Sequence, residues 1–124
     1  MRGQLRWVDT DHHGRHRPYL IVQAEILNDT APTTIGLPVT LSPQQAGYPL
    51  TVELSSADTG LDRTAWVRTT QPTTIRTTQI GEPLAALPGN TLDLVLDALT
   101  TILDLDRHRQ RSAPDIQTSA SPRP

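Results

Sequence analysis

The sequence predicts a small, mostly β domain, a barrel or sandwich, completed by one C-terminal amphipathic helix. Three observations carry this prediction. Over the first two thirds of the chain, short β-branched and aliphatic runs alternate with Gly, Pro, Asn and Ser. From Leu92 the apolar period changes from that of a strand to that of a helix. A chain of 124 residues can bury one core but not two. With no Phe and only two Trp, that core must be Leu, Ile and Val, with Trp7 and Trp66 as its large pieces.

Gln4–Val8 alternates, with Leu5 and Trp7 on one face. Pro18–Ile26 is a near-continuous apolar run opened by a proline, as expected of a central strand whose first residue need not donate a hydrogen bond. Thr33–Leu41 is β-rich, but Pro38 within it argues against an ordinary central position and predicts a bulge or an edge. Leu50–Leu54 alternates after the turn-forming Gly47-Tyr48-Pro49. In Thr64–Thr70, Ala65, Val67 and Thr69 face one way and Trp66, Arg68 and Thr70 the other. Thr73–Gly81 reads as one more short strand or two fragments. The helical stripe is Leu92, Val95, Leu96, Leu99, Ile102 and Leu103, with Asn90 as expected N-cap, Asp93 in the first turn and an end near Leu105. Residues 107–124 hold much Pro, Ser and Arg and read as a disordered tail, so the domain is expected to span 1–106. The arginines of the tail either touch nucleic acid or an acidic partner or are simply solvated.

The formal net charge is -2, yet all eleven basic residues are Arg and they are unevenly spread. Residues 1–20 and 59–81 each carry +2, so two distant segments can meet in one local positive patch. The alternative is that Arg replaces Lys as a solubilising residue. The absence of Cys excludes disulfides and thiolate metal sites and fits a reducing compartment. No apolar run approaches the ~20 residues of a membrane span, and the opening MRGQLRWVDTD has no apolar signal core, so a cytoplasmic protein is expected.

No cofactor or metal motif stands out. His12, His13 and His16 are crowded on one loop without a helical His pair or a Cys ligand beside them. Ser42, Ser55 and Ser56 lack the context of a nucleophile elbow. What remains is arginine-and-hydroxyl chemistry. Arg17 precedes a proline that starts an apolar strand, Thr40 ends a strand just after Pro38, and Arg68 lies on the polar side of its strand. A guanidinium is always charged, forked, and suited to the extra charge of a pentacoordinate phosphorane. A neighbouring His can move the proton of a 2′-hydroxyl or of a leaving 5′-oxygen. Each Arg can equally be an ordinary surface residue.

Six segments taken in order sharpen this reading: RGQLRWVDTD (2–11), GRHRPYLIV (14–22), GLPVTLS (36–42), GYPLTVELS (47–55), GLDRTAWVRTTQPTTI (60–75) and LDLVLDALTTILDL (92–105). Together they closely resemble the MazF/PemK family of bacterial toxins, over residues 2 to about 105 and with similar spacing. The resemblance implies an SH3-like, CcdB/MazF-type β-barrel with a terminal helix, usually a homodimer. It implies the toxin of a toxin–antitoxin system, a sequence-selective endoribonuclease that needs no metal. Such enzymes cut single-stranded RNA by in-line attack of the 2′-hydroxyl, leaving a 2′,3′-cyclic phosphate and a 5′-hydroxyl. A cognate MazE-like antitoxin is expected to lay an acidic, disordered segment along the RNA groove.

Carried over by motif, Arg17 is the arginine of the family's RP pair, Thr40 closes its VPVT, and Arg68 and Gln71 come from its WVRCDQ. The loop histidine corresponds to His13, or else to His12 or His16. The expected catalytic set is therefore Arg17, Thr40, Arg68 and His13, with His16, Ser42, Thr70, Gln71 and Trp66 contacting RNA. Trp66, like Tyr48, is alternatively a core or dimer residue. Two departures stand out: Thr70 replaces the family's Asp and Thr73 its second Arg. Either a loop histidine takes over as base, or catalysis rests on Arg17 and Thr40, or activity is weakened. The second is favoured. Two non-enzymatic alternatives use the same fold. One is an RNA-binding module. The other is a CcdB-like gyrase-binding toxin, which needs a tryptophan at the end of the last helix that this chain lacks.

Overall fold

The structure, a computed structural model, describes residues 1–10 and 14–107. Strands β1 (Gln4–Asp9), β2 (His16–Ile21), β3 (Thr33–Thr40), β4 (Val52–Leu54), β5 (Ala65–Val67), β6 (Thr73–Arg76) and β7 (Ile80–Ala86) form one antiparallel sheet. It runs β4-β5-β3-β2-β1-β7, with β6 paired to β3, and curls into a half-barrel. Two helical turns, α1 (Glu25–Asn28) and α2 (Ser56–Thr59), interrupt it, and helix α3 (Gly89–Ile102) follows it. The fold class is the expected one.

Strand β3 is central, and here the sequence expectation needs correcting. It pairs β2 along one edge; along the other, Thr33–Gly36 pairs β6 while Val39 and Thr40 pair β5. Pro38 falls in the gap between these last two partners. Its carbonyl accepts the Arg68 N–H at 2.9 Å, on the same edge where its own N–H would have pointed. A residue without a donor is tolerated mid-strand because at that spot there is no ladder bond to make.

The C-terminal end of strand β2 is apolar without alternation because both of its faces are covered there. Leu20 joins Leu5, Leu37, Val39, Leu54, Val67 and Val95 in the larger core; Ile21 joins Val8 and Ile75 in a smaller one on the other face. The strand stops at Ile21 rather than running to Ile26. Polar side chains turn the chain there. Gln23 Nε2 donates to the Thr33 carbonyl (3.1 Å) and to Asn28 Oδ1 (3.1 Å), and Asn28 Nδ2 donates back to the Gln23 carbonyl (3.1 Å). The fully buried Thr34 hydroxyl donates to Asn28 Oδ1 at 2.6 Å, so no buried donor is left unmet in this tie. Beside it, the Met1 ammonium and then the Asn28 amide hold the Glu25 carboxyl down at about 2.

The stretch predicted as one strand or two fragments is two strands, split by a 3-10 turn at Thr77–Gln79, and β7 continues to Ala86. Helix α3 buries Val95 and Ala98, and Val95, flanked by Leu96 and Leu99, joins the larger core. Its N-cap is Pro88, whose carbonyl takes the N–H groups of Thr91 and Leu92; the Asn90 side chain reaches only the adjacent Thr91 N–H. It ends at Ile102 rather than near Leu105, because the chain turns left-handed at Asp104 (φ 55°), a conformation Asp tolerates. The predicted tail, from residue 108 on, lies outside the described residues.

Gly36 is where the sheet is tightest: an added Cβ would lie 2.7 Å from Ile75 Cδ1 and 3.3 Å from the Leu20 carbonyl. Gly36→Ala is expected to cost about 1–3 kcal/mol by overpacking. Ile75→Val, which removes that methyl, should return part of the loss in the double variant. Urea unfolding of the four proteins in this cycle checks both expectations.

Candidate active site

Strand register assembles the site. Tyr19 opposes Pro38, Leu20 opposes Leu37 and Ile21 opposes Gly36. Continued two residues further, the same register sets Arg17 across from Thr40. On the far edge of β3, Thr40 opposes Trp66, and the Pro38 carbonyl holds the Arg68 N–H. Side chains alternate along a strand, so Arg17, Tyr19, Pro38, Thr40 and Arg68 fall on one face. Three segments distant in sequence thus deliver two guanidiniums and a hydroxyl to one place.

That place is an open cavity of about 660 Å³. Arg17, Thr40 and Arg68 line it, with His16, Ser42 and Gln71 beside them and Trp7, Tyr19, Leu61 and Thr73 completing the wall. Arg17 is exposed and Arg68 half-buried. Among the described residues no carboxylate forms an ion pair with either. Both forks therefore keep their capacity for an anion. Thr40 Oγ1 accepts the Ser42 N–H at 3.1 Å, which orients it and leaves its own proton free to donate.

The Arg68 end is held from several sides. Gln71 N–H bonds the Arg68 carbonyl (3.2 Å), Thr73 Oγ1 donates to the Gln71 carbonyl (3.0 Å), and buried Thr69 Oγ1 donates to the Leu50 carbonyl (2.6 Å). This turn between β5 and β6 carries Arg68 and Gln71 into the cavity wall. Among the described residues no group of three His, Cys, Asp or Glu is placed to hold a metal ion.

Of the residues singled out in the sequence, Arg17, Thr40, Arg68, His16, Ser42 and Gln71 share this cavity. Trp66 does not line it. Only 9% exposed, it stands between Thr40 and Glu53 on the two neighbouring strands, a packed position. Thr70 is exposed and also outside the wall, whereas Thr73 is in it. His12 and His13 lie outside the described residues. Sequence reasoning missed Trp7, Tyr19 and Leu61. Tyr19 carried a usable signal, since it sits two residues from Arg17 and a strand puts such residues on one side.

Residues 1–103 match the family model described as PemK-like, MazF-like toxin of type II toxin–antitoxin system. The chain belongs to this family. Solved structures agree on the fold of this PemK/MazF-like toxin. It is similar to a mycobacterial endoribonuclease in complex with its cognate antitoxin, with a TM-score of 0.73 at 23% identity over 85% of this chain and 95% of that one. The MazF of a MazE–MazF complex from Deinococcus radiodurans aligns with a TM-score of 0.68 at 25% identity, covering 82% and 92%. The Mycobacterium tuberculosis toxin MazF-mt6 aligns with a TM-score of 0.69 at 19% identity, covering 82% and 96%. No curated protein sequence matches it. No described helix is long and apolar enough to cross a membrane.

Two guanidiniums with no ion-pair partner among the described residues line one cavity, a wall suited to an anion. Inorganic phosphate is expected to raise the melting temperature of the wild type, and Arg17→Ala and Arg68→Ala should each remove much of that rise. Calorimetry over a phosphate series at constant ionic strength checks it; an equal rise in all three proteins would contradict the site.

Proposed function

We propose that this toxin is a sequence-selective endoribonuclease that cuts single-stranded RNA without a metal ion, leaving 2′,3′-cyclic phosphate and 5′-hydroxyl ends. The observation that carries the proposal is that Arg17, Thr40 and Arg68, from three segments distant in sequence, line one cavity.

In this reading the scissile phosphate lies between the Arg17 and Arg68 forks, with the Thr40 hydroxyl donating to a phosphoryl oxygen. The 2′-oxygen attacks phosphorus in line as its proton passes to a base. The 5′-oxygen leaves opposite and takes a proton from an acid. The guanidiniums stabilise the charge that builds up on the phosphorane oxygens, where preorganised donors contribute most. His16 is the described histidine in the wall, and an imidazole can take up a proton at one step and give it back at the next. Catalysis so arranged does not call on a carboxylate at position 70, and Thr70 is outside the cavity wall.

A structural relative described as an endoribonuclease in complex with its cognate antitoxin supports the activity, and it and a MazE–MazF pair support a MazE-like antitoxin as partner. An acidic antitoxin segment would compete with RNA for the same two forks. The toxin acts in the cytoplasm as a homodimer in this reading.

Incubation of a long single-stranded RNA with the protein in EDTA is expected to give discrete cuts with cyclic-phosphate ends. Arg17→Ala should slow cutting by about 10²- to 10³-fold, as the loss of one preorganised donor does elsewhere, and Thr40→Val by less. RNA binding without cutting by the wild type would identify a binding module instead.

A further inference from the structure

A second groove opens beside the cavity, and a defect in the sheet creates it. Along β1 and β7, Arg6 opposes Pro83 while Val8 opposes Ile80, so Trp7 alone faces two residues, Gly81 and Glu82. This is a β-bulge, a device that bends a strand and re-aims its side chains. Gly81 is tightly seated, since a Cβ there would lie 3.2 Å from the Trp7 carbonyl. Its own carbonyl is gripped by Arg6 through Nε (3.1 Å) and Nη2 (2.8 Å), so the bulge is held rigidly. The groove, about 490 Å³, is lined by Trp7, His16, Gly81 and Glu82. Trp7 and His16 also line the larger cavity, so the two hollows share an aromatic wall.

The chemistry of this wall differs from that of its neighbour. An indole and an imidazole offer flat faces on which a base can stack. Glu82 is exposed and has no ion-pair partner among the described residues. A free carboxylate repels a phosphate backbone, and an acidic peptide likewise, but accepts hydrogen bonds from an amino group. Guanine suits it best, because its N1–H and N2–H lie side by side and match both carboxylate oxygens; cytosine and adenine offer one amino group. Uracil presents carbonyl oxygens on both sides of its single N–H and is repelled.

We infer that the bulge groove is a base-selective subsite for the nucleotide next to the scissile phosphate, with Glu82 choosing an amino-bearing base over uracil. This rests on the ribonuclease reading above.

The test maps cut sites in a randomised RNA for the wild type and Glu82→Gln, and follows tryptophan fluorescence with 2′-O-methyl oligonucleotides that differ only in G or U. The wild type should disfavour U at one position flanking the cut by about tenfold relative to G. Glu82→Gln should keep cutting but lose that bias. Cutting by both proteins with identical preference overturns the subsite and leaves the ribonuclease intact. If the wild type cuts nothing, the ribonuclease reading fails, and the fluorescence decides the groove. Stronger quenching by the G oligonucleotide in the wild type alone upholds a base site. Equal quenching in both proteins, or quenching by an acidic peptide and not by oligonucleotides, overturns it.

Discussion

The structure depends on one strand that must serve three neighbours. β3 holds β2 along its full inner half, and on its outer edge changes partner from β6 to β5. Pro38 sits at that change, where a missing N–H costs nothing, and its carbonyl anchors Arg68, the residue just after β5. The gap in the ladder is also where the cavity forms. Arg68 flanks it where β5 ends, Thr73 where β6 begins, and Tyr19 and Arg17 lie across it on β2. The seam that relieves the proline thus borders the site.

A chain with Arg as its sole cationic long side chain uses that residue in two distinct ways. Arg2 and Arg6 turn their guanidiniums onto backbone carbonyls, Val22 and Gly81, and brace the sheet where it is irregular. Arg17 and Arg68 make no ion pair among the described residues and stand in the cavity wall. The planar fork suits both tasks: it can bridge to a carbonyl through two N–H groups, or meet two oxygens of a phosphate. A positive site on an acidic molecule follows from where these groups converge, and net charge conveys nothing of it.

Much of the fold was legible because its signals are local. Alternation in Gln4–Val8 and Thr64–Thr70, turn residues at Gly47–Pro49 and the helical stripe from Leu92 each depend on neighbours in the chain. The misreadings arise where hydrogen bonds and packing beyond a strand's own alternation decide the structure. Pro18–Ile26 reads as one strand, but Gln23, Asn28 and Thr34 tie the chain into a turn through side-chain hydrogen bonds that span five to ten residues. Asn90 has the chemistry of an N-cap, yet Pro88 starts the helix two residues earlier. Trp66 lies on the alternation face of Arg68, but with strands on both sides of it that position is covered.

By itself the sequence determined the fold class, the family through the order of its motifs, and the residue types from which a phosphate site can be made: Arg17, Thr40 and Arg68. Tertiary structure alone decided that these three meet, that Trp7 and Tyr19 join their wall, and that Glu82 stands beside it on a bulge. The physical reason is that register is set by hydrogen bonds between distant strands. A shift of one residue in the pairing of β2 with β3 would turn Arg17 to the opposite face, and nothing within either strand's own sequence reports which pairing is made.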